Sequence, residues 1–198
     1  MAGLKKISRD TAEKILKDRE TYRQGKWIAH SRNVALSAMI IADKLKLDSD
    51  LAYSMGLLHD IGRSFTEGQF KHIVCGYEYM KSLGYFDAAG ICLSHSFAVQ
   101  DIHSYVGAID IGGEEQKKYQ KLLQEKTYND YDKLIQLCDA VATDTGFVLP
   151  EQRFVGLVFK YGFNSFTIQK WKAVLQLKKD FSERLNEDVN LLLQSYQK

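Results

Sequence analysis

The sequence predicts an all-α protein, and three observations carry that prediction. Pro150 is the single proline in 198 residues, and a chain so poor in the residue that breaks helices favours helices over strands. Apolar residues recur at three- and four-residue intervals along most of the chain, the period of a helix with one buried face. Capping residues and glycines stand between these stretches, where helices begin and end. Hydrophobic residues at 45% and charged residues at 26% supply one sizeable core and exclude wholesale disorder. One domain over residues 1–198 is the simplest organisation, with a motif-bearing core over 27–145 and a helical extension over 146–198 packing on it.

Each element follows from local signals. Asp10-Thr11-Ala12-Glu13 has capping-box spacing, which predicts a helix from Thr11 to about Gln24 that stops at Gly25. From His30 to Leu47, Val34, Ala38, Ile41 and Leu45 follow His30 at helical intervals, so His30 lies on the core-facing stripe. Asp48, Ser49 or Asp50 caps a buried helix that runs through Leu51–Leu58 to His59-Asp60 and is closed by Gly62. After a loop from Arg63 to Gly68, a helix over Phe70–Leu83 places His72 on one face with Gly76 and Tyr79, and Gly84 ends it. Asp87–Phe97 is a further helix, with His95 on the face of Ala88, Ile91 and Cys92. The stretch Ala98–Gly113 is irregular and reads as a lid or active-site loop. Gly112-Gly113 is a turn and no phosphate cradle, because Glu114 and Glu115 would repel an anion there. A polar helix over Glu114–Lys126 and an amphipathic one over Tyr131–Thr145 follow, the latter with Asp139 at the edge of its apolar arc. Beyond Pro150, helices over Glu151–Tyr161 and Phe166–Leu193 carry so many aromatic residues that they are expected to pack back on the same core.

Charge narrows the function classes. With 27 basic and 25 acidic residues the formal net charge is +2, so nothing advertises a membrane surface or a nucleic-acid polymer as partner. Lys117-Lys118, Lys170-Trp171-Lys172 and Lys178-Lys179 read as solvated helix faces. Cys75, Cys92 and Cys138 lack metal-binding spacing and read as buried thiols of a reducing compartment. Met1-Ala2-Gly3-Leu4-Lys5-Lys6 leads into a charged segment, and no apolar run is long enough to span a bilayer. A cytoplasmic protein without a membrane anchor is expected; its oligomeric state is left open.

One constellation carries chemistry. An aspartate at the end of a buried helix needs a cation, a metal or hydrogen-bond donors, and the neighbouring His59 offers a nitrogen lone pair. By itself such a pair is weak evidence for a metal, because a histidine and an aspartate there more often cap a helix or bond backbone groups. However, His30, His59, His72 and His95, four of the five histidines, all fall on core-facing positions, together with Asp60 and Asp139. Imidazoles and carboxylates in such a set suit octahedral Mn, Fe, Co, Ni or Mg better than a closed structural zinc site, which favours thiolates.

His30, then His59-Asp60 after Ala-x-x-x-Gly-Leu-Leu, then Ile61-Gly62-Arg63, and Asp139 within Leu134–Ala140 resemble the HD-domain metal-dependent phosphohydrolases over about residues 27 to 145. The resemblance implies an all-helical HD-domain fold with additional C-terminal helices and a divalent metal held by His30, His59, Asp60 and Asp139. In members with two metals the aspartate of the pair bridges, and His72 and His95 stand where the extra ligands would. The tyrosine-proline part of the HD-GYP signature is absent and Ser96 follows His95, which argues against that branch's cyclic dinucleotide cleavage. The implied activity is hydrolysis of a phosphomonoester or phosphoanhydride, of a nucleotide on the resemblance alone, by water that the metal ionises near neutral pH. Asp60, Arg63, Lys71 and His95 are the expected catalytic groups: Arg63 and Lys71 as the nearest cations for the phosphate, His95 or His103 as proton donor to the leaving oxygen. Arg32 and Lys133 are more distant cations. Two other functions fit the same residues, a nucleotide-binding sensor or scaffold without turnover and a di-iron oxygenase.

Overall fold

The computed structural model describes residues 5–196; residues 1–4 of the charged leader lie outside them. The element order is α1 (Arg9–Tyr22), α2 (Lys26–Lys44), α3 (Ser49–Leu58), α4 (Lys71–Ser82), α5 (Phe86–Ser94), α6 (Gly113–Glu125), α7 (Asp130–Val141), β1 (Ala142–Thr143), β2 (Gly146–Phe147), α8 (Pro150–Tyr161), α9 (Thr167–Leu185) and α10 (Val189–Gln194). The fold is therefore helical, as expected, with one minimal antiparallel hairpin in which Ala142 pairs with Phe147 and Thr143 with Gly146. No helix among the described residues is long and apolar enough to cross a membrane.

Burial follows the helical stripes. Leu16 of α1, Val34, Ala38 and Ile41 of α2, Leu57 and Leu58 of α3 and Leu134, Ile135 and Cys138 of α7 form one core cluster, joined by Phe181 of α9 and by Val189 and Leu193 of α10. A second, smaller cluster holds Phe70, Ile73, Leu93, Phe97, Ile102, Tyr105 and Tyr119. His59 directly follows residues of the first cluster, whereas His72 and His95 stand among residues of the second.

Two glycines set how closely the site-bearing elements approach. A Cβ on Gly56 of α3 would lie 2.8 Å from the Cα of Ala35 on α2. Gly62 does not end α3, which stops at Leu58; it sits in a 3-10 turn, Ile61–Ser64, and a Cβ there would strike the backbone of His72 and Gly76 on α4. Only a residue without a side chain lets that turn touch α4.

Several expected boundaries move. Helix α1 starts at Arg9 because Ser8, not Asp10, is the cap, its hydroxyl accepting from Thr11 N at 3.3 Å. Helix α7 ends at Val141, and Ala142–Phe147 turns back as the hairpin, anchored to α2 by the Asn33 amide donating to Thr143 O at 2.8 Å. The helix expected over Phe166–Leu193 is broken at Asn186, whose φ of 54° is a left-handed stop that asparagine tolerates. Within Ala98–Gly113, Ile102–Ser104 forms a 3-10 turn, and Ile102 and Tyr105 are buried, so the segment is a packed strap and not a loose loop. The aromatic C-terminal quarter packs only in part: Phe154 and Phe181 are buried, while Phe159 is 88% and Phe163 66% exposed. Cys92 and Cys138 are buried thiols; Cys75 is half-buried.

Replacing Gly62 by Ala is expected to destabilise the protein by about 1–3 kcal/mol or more, because a methyl group is driven into backbone that cannot rotate aside. Denaturant unfolding of Gly62→Ala beside the exposed Gly113→Ala, where a Cβ has open space, measures it; equal stabilities would overturn the close-approach argument.

Candidate metal centre

The histidines are aimed by their own helices. His59 Nδ1–H donates to Gly56 O at 2.7 Å, His95 Nδ1–H to Cys92 O at 2.9 Å, and His72 Nδ1–H to Gln69 O, each a carbonyl three residues earlier. A carbonyl only accepts, so Nδ1 carries the proton and each neutral ring presents the Nε2 lone pair on its opposite side. His30 on α2 differs: its Nε2 lies 2.9 Å from Asp139 Oδ1 on α7, and its Nδ1 has no partner.

These nitrogens converge on Asp60. Its Oδ1 is 3.0 Å from His72 Nε2 and 3.5 Å from His95 Nε2, and its Oδ2 lies 3.9 Å from His59 Nε2. Asp139 Oδ1 is 3.8 Å from His59 Nε2. Potential ligand atoms fall into two groups that share Asp60, namely His30 with His59 and Asp60, and Asp60 with His72 and His95; the atoms of each lie within 4.8 Å of one another. Asp139 joins the first group through its contacts with His30 and His59. All four histidines and Asp60 are buried.

The donor set fits a cation. His59 Nε2, His72 Nε2 and Asp60 Oδ1 are buried without a hydrogen-bond partner, and lone pair faces lone pair between them. Burying unpaired acceptors in contact costs free energy unless a positive charge stands among them. Protons on the imidazoles do not supply it: burial pushes the His59 pKa down to about 4 and that of His72 down as well, against the upward pull of Asp60. Burial also pushes the Asp60 carboxyl upward, but the Arg63 guanidinium, whose Nε donates to Oδ2 at 2.5 Å, and the neighbouring histidines outweigh it and hold Asp60 well below the usual carboxylate range. Neutral imidazoles and ionised carboxylates are the ligand state a divalent metal requires.

A second set of contacts fixes His95. The buried Asp132 of α7 accepts from Ser94 Oγ at 2.6 Å and pairs with Lys126 Nζ at 2.9 Å, while Gln136 Nε2 donates to Ser94 O and Phe97 O. The turn that carries His95 is thereby fastened to α7.

The centre lies in the wall of a cavity of about 600 Å³, reached by His30, Asp60, Arg63, His95 and Asp139. Lys71 is not among its lining residues; that side chain is exposed, because α4 turns its neighbour His72 inward. His103 is exposed, Arg32 pairs with Glu13 at 3.2 Å, and Lys133 is exposed. Lys170 reverses its expected place. It lines the cavity, its Nζ donates to Ser104 O at 3.3 Å, and desolvation of its ammonium pushes its pKa down to about 8. The signal was its phase: Lys170 stands three residues after Thr167 and four before Val174, both on the buried stripe of α9.

The HD-domain family model matches residues 27–144. The chain therefore belongs to the HD-domain family, the class of metal-dependent phosphohydrolases that its helical fold and histidine-aspartate centre define. Among curated proteins, Ribonuclease Y of Chlorobium chlorochromatii is 42% identical over 60 residues, 30% of this chain and 12% of that protein. Ribonuclease Y of Mycoplasma capricolum is 36% identical over 95 residues, 48% of this chain and 18% of its own length. The chain thus spans under one fifth of these relatives. No solved structure matches it.

Two measurements probe the centre. The metal-free protein should lose stability as pH falls from about 7 toward 4, since the unfolded chain takes up protons near the ordinary histidine pKa that folded His59 and His72 refuse. For His59 the span from 6.5 to about 4 corresponds to about 3 kcal/mol; pH-independent thermal unfolding across that range would contradict neutral buried imidazoles. Manganese at hundredfold excess over its Kd should stabilise the wild type by about 3 kcal/mol. Asp60→Ala should lose both that shift and metal content by elemental analysis while its far-ultraviolet dichroism stays helical.

Proposed function

We propose that this protein hydrolyses a phosphomonoester or phosphoanhydride of a nucleotide-sized substrate with one or two divalent metals. One observation carries the reading: the unpartnered Nε2 atoms of His59 and His72 converge on the Asp60 carboxylate, which lines a cavity together with Arg63 and His95. His30, His59, Asp60 and Asp139 would hold one metal, and Asp60, His72 and His95 a second, with Asp60 shared. Mn, Fe, Co, Ni or Mg suits the set. When bound, such an ion supplies Lewis-acid polarisation of the phosphoryl group and lowers the pKa of water.

This chain's own residues do the rest. Arg63 is tethered through Nε to Asp60 Oδ2, which leaves its terminal nitrogens to hold phosphoryl oxygens in a fork. The carbonyl bonds at Nδ1 keep the imidazoles of His59 and His72 in one tautomer, with Nε2 free to act as a ligand. His95 would serve as a ligand to a second metal; with one metal bound, its Nε2, which lines the cavity, could take up a proton and pass it to the leaving oxygen. A cavity of about 600 Å³ suits a small molecule. The short matches to Ribonuclease Y favour a second reading, cleavage of a phosphodiester in RNA. The three free cysteines support a reducing, cytoplasmic setting.

Phosphate release from nucleotides and simple phosphate esters, and fragment formation from a short oligoribonucleotide, each with Mn, Co, Ni, Mg and anaerobic Fe, test the proposal. Release that requires metal and falls at least about a thousandfold in Asp60→Ala is expected. Cleavage of the oligoribonucleotide alone would move the reading to the nuclease. Binding without turnover would identify a sensor, and iron-dependent oxygen uptake an oxygenase.

A further inference from the structure

The wall opposite the metal centre comes from α8 and α9, beyond the residues that match the family. It is basic. Arg153, Lys160 and Lys170 line the cavity there, and none of them has a carboxylate partner among the described residues. Of the other lining charges, Lys26 pairs with Asp144 at 3.1 Å and Arg63 with Asp60, which leaves the Asp139 carboxylate, in contact with His30. Five cationic side chains thus face three carboxylates in one cavity, before any metal adds positive charge. A bound divalent metal would raise that excess further, beyond the charge that a single phosphoryl group beside Arg63 carries.

Lys170 is the most telling of the three. Lys170 is half-buried, and its ammonium has one long bond to a carbonyl and no carboxylate within ion-pair distance, a placement that an anion in the cavity would complete. A second observation points the same way: Trp27 also lines the cavity, is 8% exposed, and buries an indole N–H without a partner. Beside Lys170, Trp171 stacks on Phe154, ring centroids 5.1 Å apart and planes 8° from parallel, and both line the same cavity.

We infer that α8 and α9 form a polyphosphate subsite, with Lys170 as a specificity-determining residue that binds phosphate groups beyond the one at Arg63, so that the substrate class is a nucleoside di- or triphosphate. The inference rests on the hydrolase reading for what is cleaved but not for what is bound. Charge-assisted bonds to a second and third phosphate supply affinity that a monophosphate lacks.

Both tryptophans of the chain line the cavity, so their fluorescence reports binding to the full-length protein without turnover. Titrations with inorganic triphosphate, ATP and AMP, all in excess magnesium, are compared for wild type, Lys170→Met and Lys170→Arg. Wild type should bind triphosphate and ATP at least tenfold more tightly than AMP. Lys170→Met should weaken the two polyphosphates about ten- to hundredfold, at least tenfold more than it weakens AMP, and Lys170→Arg should restore most of the loss. In turnover the same variant should raise KM for ATP far more than it lowers kcat. Lys170→Met should also melt at a higher temperature at pH 7, since it removes a desolvated charge; a purely structural lysine would give the opposite. Equal losses for AMP and ATP, unchanged binding, or a preference for an oligoribonucleotide over triphosphate would overturn the inference. Polyphosphate binding that depends on Lys170 in a protein releasing no phosphate would overturn the hydrolase reading and leave the subsite standing.

Discussion

The structure depends on a carboxylate held almost entirely out of water. Asp60 is 3% exposed, accepts from Arg63 at 2.5 Å, and turns its other oxygen toward His72 and His95. Holding that charge requires the turn after α3 to sit against α4, which Gly62 permits, and α3 to lie close on α2, which Gly56 permits. Much of the packing around α2 to α5 can be understood as the shell that keeps this one ionised group in contact with acceptors instead of solvent.

Precision in the centre has two separable sources. Each of His59, His72 and His95 is oriented within its own turn by a bond to a carbonyl three residues back, so ring direction is a local property of the helix end. The distances between rings depend on helix crossings and on the tie from Asp132 and Gln136 to the turn at Ser94. Adjacent imidazoles meet edge to face, His30 on His59 at 5.2 Å and His59 on His95 at 5.0 Å between centroids. Rotation of one ring therefore presses on the next.

The helical plan was legible because the apolar period and caps are local quantities. His30, His59, Asp60, His72, His95 and Asp139 were legible for a related reason: a polar residue on a buried stripe is out of place, and six of them ask for a common explanation. What escaped the sequence were effects of tertiary contact. The hairpin at Ala142–Phe147 interrupts a stretch whose pattern suits a helix, because Asn33 and the edge of α2 offer its backbone partners. Asp132 carries no local signal of its place, and it is fully buried against Ser94 and Lys126. Lys71 beside His72 seemed a phosphate ligand by proximity in sequence, but adjacent residues on a helix point about 100° apart. Lys170 was hidden by two neighbouring signals, Trp171 and Lys172, that read together as a wet face.

The cavity has two walls, and the HD-domain family model covers only one of them. The wall that carries the histidine-aspartate cluster belongs to the segment shared with other HD-domain proteins, while α8 and α9, from Pro150 on, lie outside it. Selection can act on these walls independently: drift in the appended helices reshapes what is recognised without disturbing the carboxylate that everything else protects. Divergence within such a lineage would then be recorded in the helices after the hairpin, and a comparison restricted to the shared segment would group together proteins with different diets.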